Sequence, residues 1–328
     1  IFFPFPPFYL TGKPLQKHPP MEGWNQTTSA FFLLGLFPPT KIGLLLFLLV
    51  ILIFLIGCLG NSTMILLIWM DHHLHTPMYF LLSQLSLMDL MYICSTVPKM
   101  AINFLSGDNS ISLVACGFQS FCFLLIAGSE AFLLASMAID RYVAICHPLN
   151  YPILMNKRIC LLLVAGSWFS SSINSICHTM YVFSMPYFID HFFREIPAML
   201  KLPCVDTSHY ERRIYVSAVI FLLIPFSIIL PSYGQILHTV LHIRSVEAQK
   251  KAFSICSSHL TVVVMYYGPF IFTYMRPKSY HTPGQDSILA ILYTILTPML
   301  NPIIYSLRNK DVLCALKKVL GKALMHRK

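Results

Sequence analysis

The chain of 328 residues is 56% hydrophobic and only 11% charged, with a mean hydropathy of +0.67. A soluble globular domain carries about 25% charged residues, so this composition excludes an ordinary water-soluble globule. The formal net charge of +10 is dispersed except in the last twenty positions, where basic residues cluster. We attribute that cluster to contact with anionic lipid and expect no nucleic-acid partner.

Long apolar stretches recur along the chain. The first, Ile42 to Met70, contains no charged residue and exceeds the ~20 residues needed to cross a bilayer as a helix. Six more stretches are bounded by charged, His or Pro-containing segments: Met78 to Val97, Cys116 to Ala138, Ile159 to Val182, Ile214 to Val240, Leu260 to Met275 and Ile288 to Leu307. The pattern predicts an all-α membrane protein, a seven-transmembrane helix bundle over residues 42–307.

The distribution of Lys and Arg predicts the orientation of this bundle. With the amino terminus outside, 13 basic residues lie inside and 10 outside, or 6 outside once the long connection from Val182 to Ile214 is left out. Residues 1–41 are then an extracellular amino terminus, in which 1–20 read as a non-native or disordered extension ahead of Met21. Asn25 opens a glycosylation sequon there. Residues 308–328 form a cytosolic tail, whose leucine spacing predicts a short amphipathic helix on the inner membrane face.

An acid and an arginine stand side by side where the third stretch leaves the apolar run, in Asp140-Arg141-Tyr142. A guanidinium near hydrocarbon is costly unless a carboxylate pairs with it, so the two side chains can form a pair that is made in one conformation and released in another. Arg141 continues a helical stripe whose upstream members recur at steps of three and four: Phe123, Ala127, Glu130, Leu134 and Met137. Such a stripe by itself indicates only packing.

Two further acids lie in the middle of predicted spans. Asp89 and Glu130 each cost roughly 2.5 to 3.5 kcal/mol at a helix centre, so both are expected to face the bundle interior. Two interior carboxylates at similar depth repel unless they share a cation or a proton, which predicts a Na⁺ or proton site between them. The alternative is that one carboxyl is simply protonated and hydrogen-bonded. No other cofactor is expected.

The seventh span contains Asn301-Pro302 and, three residues further on, Tyr305. Pro302 removes a backbone hydrogen bond and predicts a kink, Asn301 is expected to satisfy the freed carbonyl, and the hydroxyl of Tyr305 is expected to change partners near the inner face.

These residues and their order resemble a rhodopsin-like G-protein-coupled receptor, and more closely an olfactory receptor of the tetrapod class, family 2. The matching stretches cover the chain from about Met21 to its end: Gly60-Asn61, Leu74 to Ser83, Leu85 to Asp89, Met137 to Pro148, Ser232-Tyr233, Lys251 to Leu260 and Pro298 to Asn309. The resemblance implies that Tyr233 acts in the G-protein switch with Asp140, Arg141, Tyr142, Asn301, Pro302 and Tyr305.

The resemblance also implies a pocket for a small volatile odorant in the outer half of spans three, five and six. Its lining residues would be Phe123, Leu124, Ala127, Gly128, Tyr267 and Tyr274. The implied partner is a heterotrimeric stimulatory G protein of the olfactory type, which raises cyclic AMP, and the implied location is the plasma membrane. The second outer loop departs from the family, because Arg194 stands where a cysteine is usual. Cys116 is therefore expected to pair with Cys204.

Three readings follow. The first is an odorant receptor that binds small volatile ligands and activates the stimulatory G protein. The second is a poorly folding or non-signalling receptor relic, because the altered outer loop weakens folding. The third is an ion-conducting protein that uses Asp89 and Glu130. An enzyme is not expected, since no nucleophile-base pair or metal-ligand spacing occurs in an accessible loop. The sequence names neither the odorant nor the oligomeric state.

Overall fold

The computed structural model describes residues 30–32, 40–107, 110–183, 212–213, 216–217, 219–275, 292–308 and 310–325. Its helices are α1 (Lys41–Met70), α2 (Pro77–Ser106), α3 (Leu113–Cys146), α4 (Tyr151–Leu154), α5 (Lys157–Phe183), α6 (Ile224–Leu241), α7 (Val246–Met275), α8 (Thr297–Arg308) and α9 (Lys310–Met325). Strands β1 (Ala30–Phe32) and β2 (Ser110–Ser112) pair antiparallel, with Ala30 opposite Ser112. This short pair is the one described departure from an all-helical chain.

Six described helical stretches are long and apolar enough to cross a membrane: Lys41–Met70, Pro77–Ser106, Gly117–Cys146, Lys157–Tyr181, Val219–Leu241 and Val246–Phe272. The seventh predicted span corresponds to the π-helical turn Leu292–Leu296 followed by α8. Three helices extend well beyond the predicted apolar spans: α2 continues to Ser106, α3 continues to Cys146 and α7 begins at Val246, because a helix that leaves hydrocarbon continues through polar residues.

The apolar side chains on the outside of the bundle fit a hydrocarbon solvent. On α1 the exposed fractions of Leu45, Leu59 and Trp69 are 67%, 71% and 76%. A soluble protein rarely leaves such a continuous apolar face in water. Helix α3 runs through the interior against α2, α5, α6 and α7. Its buried face thus sets the positions of its neighbours.

The end of the bundle near Arg141 of α3 is called the Arg141 end, and the opposite end, where α2 stops at Gly107, is called the Gly107 end. Gly107 has a φ of 70°, which suits a residue without a Cβ. Helix α9 packs at the Arg141 end through Val312 and Ala315, which are buried in the main core. This confirms the predicted helix after the seventh span.

Polar contacts fix α9 to the connection between α1 and α2. Lys318 lies 3.6 Å from a carboxylate oxygen of Asp71, and the hydroxyl of Tyr79 donates to Asp311 at 3.3 Å. The backbone N–H of His73 and then the charge of Lys318 lower the pKa of Asp71. Because Asp71 is at the surface, these contacts orient α9 more than they stabilise the fold.

Helices α3 and α5 approach closely along a seam of small and hydroxyl-bearing residues. Ser175 donates to the carbonyl of Phe121 at 2.5 Å, and Ser129 donates to the carbonyl of Ser167 at 3.4 Å. A Cβ placed on Gly128 would lie 2.7 Å from Oγ of Ser171. Small residues allow such an approach in membranes, where packing and cross-helix hydrogen bonds drive association.

We expect Gly128→Ala to destabilise the receptor, because the added methyl would also meet the ring of Phe221 at 2.9 Å. Gly166→Ala is the matched control, since no described atom lies within 4 Å of a Cβ added to Gly166. Thermal unfolding of the purified protein in detergent should show a loss of about 1 to 3 kcal/mol for Gly128→Ala relative to Gly166→Ala. Equal stabilities would show that the seam is loosely packed.

Candidate functional site

The Arg141 end holds a buried polar cluster that joins four helices. Arg141 on α3 is only 9% exposed, and its charge acts on Tyr233 of α6, His259 of α7 and Tyr305 of α8. Tyr233 and Nδ1 of His259 lie 2.6 Å apart and form a hydrogen bond that ties α6 to α7. His259 was part of a family-like stretch in the sequence but was not predicted as a functional residue.

Three polar atoms of this cluster have no hydrogen-bond partner within the described part of the chain. They are Nε of Arg141, Nε2 of His259 and the hydroxyl of Tyr305. Buried polar groups in proteins are usually paired, and leaving one unpaired costs about 1 to 3 kcal/mol. These three atoms can therefore accept new partners if α7 or α8 shifts.

Asp140 pairs with a residue that the sequence did not predict. Its carboxylate accepts from the hydroxyl of Tyr151 at 2.8 Å, and no described contact within 4.0 Å joins it to the guanidinium of Arg141. The expected Asp140–Arg141 pair is not the contact seen here, because consecutive residues of a helix do not face each other. Burial, followed by the charge of Asp140, raises the pKa of Tyr151.

The third member of the triplet, Tyr142, bonds near the end of its own helix. The hydroxyl of Tyr142 lies 3.1 Å from Nε2 of His147, at the end of α3. One turn from Tyr142, Sγ of Cys146 lies 3.2 Å from Oγ1 of Thr239 on α6. The end of α3 is thus attached to α6 as well as to α4.

A second polar centre lies in the middle of the bundle, at Asp89. The amide of Asn301 donates to both carboxylate oxygens of Asp89, at 2.9 and 3.1 Å. The amide of Asn61 donates to the carbonyls of Gly57, at 3.0 Å, and Pro298, at 2.8 Å. The role expected for Asn301 was wrong: it pairs with the acid rather than with a freed carbonyl, because a carboxylate is the stronger acceptor.

Glu130 lies beside this centre. Glu130 is 5% exposed and Asp89 is 1% exposed, and the charge of Glu130 acts on Asp89. Oε1 of Glu130 has no hydrogen-bond partner in the described ranges. The described residues contain no group of three or more His, Cys, Asp or Glu arranged for a metal ion, so a Na⁺ site here would draw further ligands from other oxygens.

Towards the Gly107 end, several predicted pocket residues come together on α3 and α7. Phe123 is 4% exposed and packs against Tyr92, with 5.4 Å between ring centroids. The hydroxyl of Tyr267 donates to the carbonyl of Ala131 at 3.1 Å, and that of Tyr266 donates to the carbonyl of Ala127. These bonds join α7 directly to α3.

Two of the predicted pocket residues, Gly128 and Leu124, take part in packing contacts. Gly128 lies in the tight contact with α5 and the turn before α6, so it is a packing position. Leu124 is partly buried against the core. The side chains of Tyr274 and Cys116 lie outside the described residues, as do Cys204, Asn25 and residues 1–20.

Sequence reasoning missed a polar group on α5. His178 lies 2.7 Å from the hydroxyl of Ser217, and that hydroxyl donates to Oδ1 of Asn174 at 2.8 Å. The signal was present in the sequence: Asn174 and His178 are four residues apart in an apolar span. They were not picked out because each residue type alone is common in membrane helices.

Comparison with known proteins decides the family. The family model described as olfactory receptor matches residues 50–323. The chain belongs to the olfactory receptor family. Human (Homo sapiens) Olfactory receptor 2L3 is 58% identical over 303 residues, covering 91% of this chain and 97% of the relative. Human Olfactory receptor 2AJ1 is 59% identical over 309 residues, covering 93% of this chain and 94% of the relative.

Family membership confirms several expectations. The olfactory receptor is a multi-pass, G-protein-coupled membrane receptor with a seven-helix bundle, and it is not an enzyme. The family 2 relatives also confirm the predicted subgroup. Odorants and G proteins are the general partners of this family.

We expect Asn301→Leu to lower the free energy of unfolding by about 1 to 3 kcal/mol, because Asp89 would stay buried without its donor. Adding Asp89→Leu should restore part of that loss, since replacing both partners by apolar groups removes the unpaired acid. Thermal unfolding of the two single variants and the double variant measures the coupling. Strictly additive losses would show that the two side chains are energetically independent.

Proposed function

We propose that this olfactory receptor lies in the plasma membrane with its amino terminus outside, binds a small volatile odorant near the Gly107 end, and activates the stimulatory olfactory G protein at the Arg141 end. Activation would raise cyclic AMP. The observation that carries the proposal is the buried polar cluster of Arg141, Tyr233, His259 and Tyr305, which joins four helices at one end of the bundle.

The orientation is supported by the described basic residues. Near the Arg141 end lie Lys157, Arg158, Arg244, Lys250, Lys317 and Lys318; near the Gly107 end lie Lys41, Lys99, Arg212 and Arg213. Positive charge in connections is retained on the cytosolic side during insertion. The Arg141 end is therefore assigned to the cytosol, where a G protein is available.

The Asp140–Tyr151 hydrogen bond supports a resting role for this conformation. It holds the acid of α3 against α4 while Arg141 stays buried among the ends of α6, α7 and α8. A ligand shifts such an equilibrium only by binding one state better than the other. In the proposed active state, α7 moves away from α3, and Arg141, Tyr233 and Tyr305 exchange partners while a docking groove opens.

A route from the ligand to this cluster is supported by α7 itself. Tyr266 and Tyr267 bond to the backbone of α3 near the proposed pocket, and His259 lies about two turns further along the same helix. Because α7 is one continuous helix, a ligand that displaces the tyrosines also displaces His259. The proposed pocket comprises Phe123, Leu124, Ala127, Tyr267 and Tyr274, with Gly128 holding the wall behind it.

The midpoint of the bundle is proposed to hold Na⁺ or a shared proton between Asp89 and Glu130. The charge of Glu130 acting on Asp89, and the absence of a described hydrogen-bond partner for Oε1 of Glu130, support the proposal. The Cys116–Cys204 disulfide and glycosylation at Asn25 stay predictions, and both agree with an outside amino terminus.

The test is cyclic AMP production in cells supplied with the stimulatory olfactory G protein and screened with volatile compounds. Arg141→Ala should abolish the ligand-dependent signal at equal surface expression, because the buried guanidinium is the centre of the proposed switch. Arg158→Ala is the matched control, since Arg158 is an exposed arginine on α5 at the same end. Signalling that survives Arg141→Ala at normal strength would refute the proposed role.

A further inference from the structure

The polar group between α5 and the approach to α6 combines three side chains in the Gly107 half of the bundle. His178 is 8% exposed, and Asn174 and Ser217 are half-buried. The single proton of the Ser217 hydroxyl goes to Oδ1 of Asn174, so Nε2 of His178 donates to Ser217. Hydrogen-bond donation therefore runs in one direction, from His178 through Ser217 to Asn174.

Because donation runs from His178 to Asn174, the amide NH2 of Asn174 remains as a donor at the end of this hydrogen-bonded series. The amide NH2 of Asn174 has no hydrogen-bond partner among the described residues, although its carbonyl oxygen is satisfied. Asn174 is half-buried, and its amide nitrogen is not fully covered by the described residues. This amide NH2 is therefore available to donate to a further group.

The group lies at the level of the proposed pocket. Ser175, next to Asn174, bonds to the carbonyl of Phe121 on α3, which is two residues before Phe123. One turn closer to the Arg141 end, Ser171 meets Gly128. Because α3 and α5 run in opposite directions, Asn174 and His178 lie beside the stretch of α3 that contains Phe123 and Leu124.

The local charge favours a ligand atom with negative character. The guanidinium of Arg213 lies 4.9 Å from the ring centroid of Tyr181, and its charge acts on His178. Aromatic rings lie on the elements that pack here: Phe123 contacts Tyr92, and Phe221 contacts Phe132 and lies with Ser171 beside Gly128. An apolar wall with one donor selects a molecule that is mostly hydrocarbon but carries an acceptor oxygen.

We propose that Asn174, oriented by Ser217 and His178, binds the carbonyl oxygen of a neutral aldehyde or ketone ligand in this receptor. The inference rests on the proposed odorant pocket and names its ligand class and polar wall. The helix that supplies this wall is α5, which the resemblance to known receptors did not include. Asn174 touches the ligand; Ser217 and His178 are positioning residues.

The first experiment asks whether the group faces an open pocket, without needing a known odorant. Asn174→Cys and Ser217→Cys receptors in intact cells are treated with aminoethyl methanethiosulfonate, and labelling is compared with that of the unsubstituted receptor. Both variants should react. Ser172→Cys is the control, because Ser172 lies on another face of α5 and bonds within its own helix. Absence of labelling in both variants at normal surface expression overturns the proposal.

The second experiment tests the ligand class. A panel of volatile aldehydes and ketones, each matched with its parent hydrocarbon, is added before labelling of receptors that carry Ser217→Cys and retain Asn174. The carbonyl compounds that bind should slow the reaction, and their hydrocarbons should not. Equal protection by hydrocarbons, or no protection by any carbonyl compound, overturns the assigned class.

Signalling separates this inference from the proposed function. Asn174→Leu and Ser217→Ala should raise the half-maximal concentration of an activating aldehyde or ketone by about 3- to 10-fold, the equivalent of one hydrogen bond, while Ser172→Ala should not. Unchanged potency in both variants overturns the ligand contact and leaves receptor signalling intact. Labelling and protection without any cyclic AMP response would instead contradict the proposed signalling and leave the binding site standing.

Discussion

The structure depends on one constraint, the cost of placing polar groups in hydrocarbon. Each buried polar side chain needs a partner on another helix or on its own backbone. Asn61 donates to the carbonyl of Gly57 on α1 and to that of Pro298. Asn301 donates to Asp89, and Tyr267 donates to a backbone carbonyl of α3. These bonds fix which helix faces align. The same constraint makes the unpaired groups around Arg141 the part of the bundle that changes most easily.

The sequence was sufficient to predict the number and approximate position of the spans. The thickness of the hydrocarbon layer sets the length of a span, and charged residues are rare within it. It also indicated that Asp89 and Glu130 face inward. It could not indicate where α3 and α7 end, since helical hydrogen bonds continue beyond the membrane. Helices α2, α3 and α7 extend past the predicted spans, whereas the helical stripe from Phe123 had already placed Arg141 on the third helix.

Pairings were harder to predict than positions. Adjacent Asp140 and Arg141 suggested a pair, but helix geometry turns them apart and Tyr151 of α4 reaches the acid instead. Asn301 was assigned to the proline kink, although Asp89, far away in the chain, is its partner. The group at Asn174 was missed for the same reason: a cross-helix contact has no local sequence pattern. The family resemblance supplied residue roles, whereas the tertiary structure supplied their partners.

The central claim is that the Arg141 end opens when the receptor couples to its G protein. Distance measurement between genetically encoded spin labels at Ile159 on α5 and Phe253 on α7, both exposed, tests it most directly. The account predicts a longer distance when the nucleotide-free stimulatory G protein is bound than in the receptor alone. A stable complex with an unchanged distance would contradict it.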